Sequence, residues 1–262
     1  MTALAQLLAP AAPRVAAAAL HGLRLLPVAI LCPFLGGPLV PPLVRLSLAF
    51  GLGACAWSSA GAPPFAAAVP ELVVAGVREL AIGTALGIAA AMPFEAARAG
   101  GRLVDTLRGA TLAELHVAPL RQRESATGDL LVQWLLVLAA SAGGDRLVVA
   151  ALLGTFQAVP AGGAVASEVL VGAGLRSAAE LLACAVALGA PAAAGVLAAD
   201  LALALAGRAA PQLSTAPAAQ PARAAFGLVA VTVAAAALAG RLTSAVALSA
   251  GIVRGVAAGV RP

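Results

Sequence analysis

A chain of 262 residues with 62% hydrophobic and 10% charged side chains and a mean hydropathy of +1.01 lies outside the composition of a soluble globular domain. It reads as an integral membrane protein. The formal charge of +5 comes from arginines alone, without a lysine, and they are spread along the chain where a nucleic-acid surface would need them clustered, so no nucleic-acid partner is expected.

The N-terminal stretch carries only Arg14 before a long apolar run and shows no cleavage site, so the first apolar segment is expected to remain in the mature protein. A helix is predicted from about Arg14 to Leu31. His21 and Arg24, three apart, share one of its faces. The run Leu25–Val44 is uncharged but holds Pro27, Pro33, Pro38, Pro41 and Pro42, so an irregular crossing replaces a straight span. A second helix should run from Leu46 to about Ser59, ended by Gly61 and Pro63-Pro64, with Trp57 as an interfacial anchor. A third is predicted from Glu71 to about Gly100, with Arg78 and Glu79 early and the i,i+3 pair Glu95–Arg98 late.

Gly100-Gly101 is expected to interrupt that helix. Arg102, Asp105 and Arg108 follow at three-residue spacing, which places two guanidiniums and a carboxylate on one face as anchors for the next loop. That loop, Gly109–Thr127, is mixed in polarity and punctuated by Gly and Pro. Leu130–Ala142 and Leu147–Val159 are too short for straight spans and read as a buried helical hairpin around Gly143-Gly144-Asp145-Arg146, closed by Pro160. Val165–Arg208 is helical in pattern, with an interruption at Pro191 and an apolar heart, Leu181–Ala199, bounded by Glu180 and Asp200. A polar loop Arg208–Arg223, a last helix Ala224–Gly240 and a Gly-rich tail over 241–262 complete the chain. About six apolar segments and no composition break predict a single all-α domain, 1–262.

Much of the hydrophobicity is alanine, which gains little from lipid. Small residues at Gly83/Gly87 and Gly251/Gly255/Gly259 have the spacing that lets helices approach closely, so many of these helices are expected to face protein. Catalytic signatures are missing: there is no HExxH, GxSxG, Walker loop or CxxC. Two distant histidines and three single cysteines, Cys32, Cys55 and Cys184, make no metal or disulfide framework. Neither an enzyme nor a cofactor or metal protein is expected. A secondary transporter built on the broken segment Pro27–Pro42 is the alternative reading, opposed by the missing internal repeat and the lack of charge there.

The central block resembles the T subunit of the type III secretion export apparatus, the SctT family, and its flagellar counterpart FliR. The likeness runs from Arg78-Glu79 with AIGTALG, including Gly83, through Pro93-Phe94-Glu95. It is clearest in Ala99-Gly100-Gly101-Arg102-Leu103-Val104-Asp105 with Arg108-Gly109-Ala110-Thr111. It continues in Pro119, Ser125, Gly143-Gly144 and Thr155-Phe156-Gln157-Ala158-Val159-Pro160, then in Pro191, Asp200, Arg208, Pro211, Gln212-Leu213 and Pro221-Ala222-Arg223. Ser214-Thr215-Ala216, Arg223 and Asp145 depart from the family pattern. The stretch after Gly240 is unassigned.

The resemblance implies kinked helices and helical hairpins built like an R subunit joined to an S subunit. It implies a structural, non-catalytic component of an export gate in the bacterial inner membrane. Its partners would be the R and S subunits, the U switch subunit and the secreted unfolded polypeptides. A plug or gate loop is implied at Gly109, Ala110, Thr111, Leu112, Leu115 and Pro119, anchored by Glu95, Arg102, Asp105 and Arg108. The structural motif positions are Glu79, Gly83, Phe94, Gly101, Gly143, Gly144, Pro160, Pro191, Arg208, Pro211 and Gln212. An injectisome is favoured over a flagellum, whose form more often retains the Asn and Lys that this chain replaces.

Overall fold

The computed structural model describes residues 11–36, 40–61, 64–65, 68–109, 125–210 and 216–258. These residues are helical, without a strand among them. Helix α1 is Ala12–Leu31, begun by Pro13 in its first turn and stopped at Cys32, whose extended backbone (φ −89°, ψ 121°) is what a following proline imposes. A single 3₁₀ turn, Pro33–Leu35, comes next. Helix α2, Pro42–Ala60, starts on a proline and ends on Gly61 in the left-handed region at φ 57°. Helix α3 is Val69–Leu107, α4 Ala126–Ser141, α5 Gly144–Ala158, α6 Ser167–Ala209, α7 Ala216–Val233 and α8 Ala235–Ala258.

Several boundaries differ from those expected. Helix α3 continues through Pro93 and Gly100-Gly101. A methyl on Gly100 would stand 2.8 Å from Leu188 Cβ, and one on Gly101 would overlap the backbone of Gly128. The glycine pair is thus a packing surface inside a helix and does not break it. Helix α6 likewise continues through Pro191. The turn between α4 and α5 is shorter than expected: Gly143 alone takes the left-handed conformation (φ 74°), and Asp145 and Arg146 already belong to α5. Helix α7 begins within the expected polar loop and contains Pro221, and the supposed tail is helical as far as Ala258.

The described residues group into two compact units. The first draws on segments 1–92, 143–179 and 246–262; the second draws on 93–142 and 180–245. In the first, α1 packs on α2 and α3 through glycines. A methyl on Gly22 would overlap the Phe50 ring, one on Gly53 the backbone of Gly22, and one on Gly83 the carbonyl of Arg24. Gly87 lies one turn further along the Gly83 face and meets Pro27 O and Leu31. Close backbone approach at small-xxx-small spacing is how apolar helices gain dispersion energy without a solvent-driven core. The expected second set behaves differently, since Gly251 and Gly255 have nothing within 4 Å. Gly259 lies outside the described residues.

Three helices, α1, α3 and α6, are long and apolar enough to cross a membrane, and up to five spans result if each broken pair is counted as one. The chain is a multi-pass membrane protein.

Candidate functional site

Two charged clusters stand out, one in each unit. In the first, Arg24 on α1 meets Glu79 on α3. Nε donates to Oε2 at 2.6 Å and Nη2 to Oε1 at 3.0 Å, with both side chains 0% exposed. A two-point guanidinium–carboxylate fork of this kind is the strongest form of the pair, and burial makes its completeness obligatory. The remaining valences are met by backbone. Arg24 Nη1 donates to Thr155 O at 3.2 Å, and the Gly162 amide donates to Glu79 Oε1 at 2.7 Å. The Arg24 guanidinium lies 4.4 Å from the Phe156 ring centroid, and His21 stacks on the same ring at 4.6 Å. His21 Nδ1 bonds the carbonyl of Ala17, one turn earlier on α1, at 2.8 Å.

In the second unit, Asp105 near the end of α3 closes on the start of α4. Its Oδ1 accepts from Thr127 Oγ1 at 2.6 Å and from Arg108 Nη2, and its Oδ2 accepts from Ser125 Oγ and from the Thr127 amide at 3.1 Å. Ser125 in turn caps α4, its Oγ accepting from the Gly128 amide at 3.0 Å. The carboxylate therefore holds residues 105–108 against 125–127, the two ends of the polar loop. Gln220 on α7 adds a further tie, donating from Nε2 to Gly109 O at 3.1 Å and to Arg108 O at 3.3 Å. Arg223, one turn along α7, pairs with Asp200 of α6 at 2.6 Å.

Of the anchoring charges read from the sequence, the structure brings Asp105 and Arg108 together. Arg102 is exposed, its side chain without a hydrogen bond or ion pair to a described residue, and Glu95 pairs with Arg98. Gly109 is in the left-handed region at φ 73°. Ala110, Thr111, Leu112, Leu115 and Pro119 of the expected plug, and Pro211 and Gln212 of the motif set, lie outside the described residues. Glu79, Gly83, Phe94, Gly101 and Gly144 are buried, Gly143 makes the α4–α5 turn, Pro191 is inside α6, and Pro160 and Arg208 are exposed.

Sequence reasoning missed the Arg24–Glu79 pairing and its backbone partners. A partial signal was present, since opposite charges in apolar helices are cheapest when they meet, but Arg14 shares α1 with Arg24 and Arg78 adjoins Glu79. Ser125 and Thr127 were missed as partners of Asp105, although a serine five residues before the apolar run at Leu130 is a possible N-cap. Among the described residues no group of His, Cys, Asp and Glu is placed to hold a metal. The clusters supply fixed charge and rigidity.

Comparison with known proteins gives the same family as the motifs. The secretion system apparatus protein SsaT of Salmonella typhimurium (strain LT2) is 36% identical over 84 residues, which is 32% of this chain and 32% of that protein. The Yop proteins translocation protein T of Yersinia pestis is 34% identical over 79 residues, 30% of each chain, and its counterpart in Yersinia pseudotuberculosis matches equally. The aligned stretch thus spans about a third of the length of these relatives. The family model described as bacterial export proteins, family 1, matches residues 15–248. With that pattern carried over most of its length, the chain belongs to this family, that of FliR and the type III secretion T subunits.

Proposed function

We propose that this protein is a core component of a type III secretion export gate. With R and S subunits it would frame the entry of a channel for unfolded polypeptides in the bacterial inner membrane, with the U switch subunit beside it. Its role is structural. The observation that carries the reading is the family match over residues 15–248. Physical features support it. The most apolar window of α6 has a mean hydropathy of 2.1 yet is only 28% buried within the chain, so this helix depends on lipid or sister subunits for cover.

The plug loop is part of the proposal. A segment that occludes a channel at rest must be firmly rooted and free to be displaced between its roots. Asp105 with Ser125 and Thr127, and Gln220 on Gly109, supply the roots of the segment that begins at Gly109. Deleting Gly109–Pro119 is expected to raise the resting ion conductance of a reconstituted assembly with R and S subunits. Unchanged conductance removes the plug assignment. The wider proposal is tested by purification in mild detergent: R- and S-type subunits should accompany the chain, and a chain that emerges alone or as a homo-oligomer overturns it.

A further inference from the structure

Beside the Arg24–Glu79 cluster, within the first unit, lies a cavity of about 480 Å³ lined by Ala17, His21, Ser59, Phe65, Phe156 and Gln157, among others. That volume falls within the range of small-ligand sites. Its walls are apolar and aromatic, closed further by Pro64 and Pro160. None of the described lining residues carries a formal charge if the histidine is neutral. The lining thus offers no charge to pair with an ionic ligand, which favours an uncharged one.

Among the polar groups, the Gln157 amide can donate and accept, while His21 and Ser59 present acceptors. His21 is 2% exposed, and its Nδ1 is committed to Ala17 O, which makes Nδ1 the donor of the neutral ring and leaves Nε2 with a lone pair. Nε2 has no hydrogen-bond partner among the described residues. The Ser59 hydroxyl spends its proton on Ala56 O at 3.1 Å and likewise retains lone pairs. Stacking on Phe156, itself backed by the Arg24 guanidinium, fixes the orientation of the imidazole. An aromatic wall with a locked acceptor is complementary to an uncharged ring that carries a hydrogen-bond donor.

We propose that this cavity is a binding site for a phenol-class ring, with His21 Nε2 accepting the hydroxyl proton and Phe65 packing on the ring. The same chemistry is offered by a free phenol and by a tyrosine side chain of a polypeptide.

The test uses the full chain in detergent micelles with p-cresol and toluene, which differ only by the hydroxyl. p-Cresol should bind about tenfold more tightly, the ratio given by one buried hydrogen bond. In a His116→Ala protein labelled with ¹⁵N-histidine, where His21 is the single histidine, p-cresol should shift Nε2 and toluene should not. His21→Phe should bring the ratio close to one. Should that variant fail to fold, the ¹⁵N measurement on the His116→Ala protein decides alone. Equal binding of the two probes, binding of neither, or a stationary Nε2 signal overturns the proposal. Competition of p-cresol by an unfolded tyrosine peptide, and not by its phenylalanine counterpart, assigns the site to polypeptide; without competition it is a small-molecule site.

Discussion

Arg24 and Glu79, 55 positions apart, meet in a two-point fork from which solvent is wholly excluded. The pair joins α1 to α3, and through Thr155 and Gly162 it also takes in the end of α5 and the turn after it. Removing one partner leaves a bare charge in a dry site. Glu79→Ala should therefore lower stability by about 3–5 kcal/mol, whereas Arg24→Met with Glu79→Leu should recover most of that loss. Denaturation of the purified chain in detergent measures both; a double variant as weak as the single one contradicts the assignment.

The crossing of α1 and α3 should be equally intolerant of bulk. Any side chain at Gly83 meets the Arg24 carbonyl, which cannot turn aside. Gly83→Leu is expected to cost about 1–3 kcal/mol or more. Gly251→Leu, at a position with open space around it, should stay within about 0.5 kcal/mol in the same measurement.

Asp105 accepts from four donors, so Asp105→Ala strands several of them at once. A loss of about 1.5–3 kcal/mol is expected, against about 1 kcal/mol for the cap alone in Ser125→Ala. Hydrogen exchange should locate the effect. The amides of Thr127 and Gly128 lose protection first, while those in the middle of α5 are unchanged.

Asp200 and Arg223 form a pair that is about two-fifths exposed on each side. Arg223→Ala should cost no more than about 1 kcal/mol, and the difference should shrink in molar salt. The loss in Glu79→Ala should keep its size under the same salt, because the pair it breaks is out of reach of the ions.

Much of the fold was legible in the sequence because apolar runs mark helices. Gly61 closes α2 where expected, whereas Pro42, assigned to the irregular crossing, opens that helix four residues before the expected Leu46. The misreadings share a cause. The intrinsic cost of Gly in a helix, about 1 kcal/mol, and of Pro, about 3, predicts interruptions at Gly100-Gly101 and Pro191. Packing decided otherwise at Gly100 and Gly101, where Leu188 and Gly128 fill the space a side chain would need. At the candidate site, the carboxylate Asp105 and its neighbour Arg108 were found from local spacing. Glu79 was found as a motif position, but its partner lies on another helix, and no local rule reaches across 55 residues.

The interleaving of the two units has a consequence for biosynthesis. A ribosome delivers the charges of α1 and α3 first, yet their backbone ligand at Gly162 comes 83 residues after Glu79, and the last segment of the first unit begins at Val246. The second unit has its whole complement once Ala245 has been made. Nascent chains stopped near residue 245 should thus hold a finished second unit and an incomplete first one, reversing the common rule that what is translated earliest matures earliest.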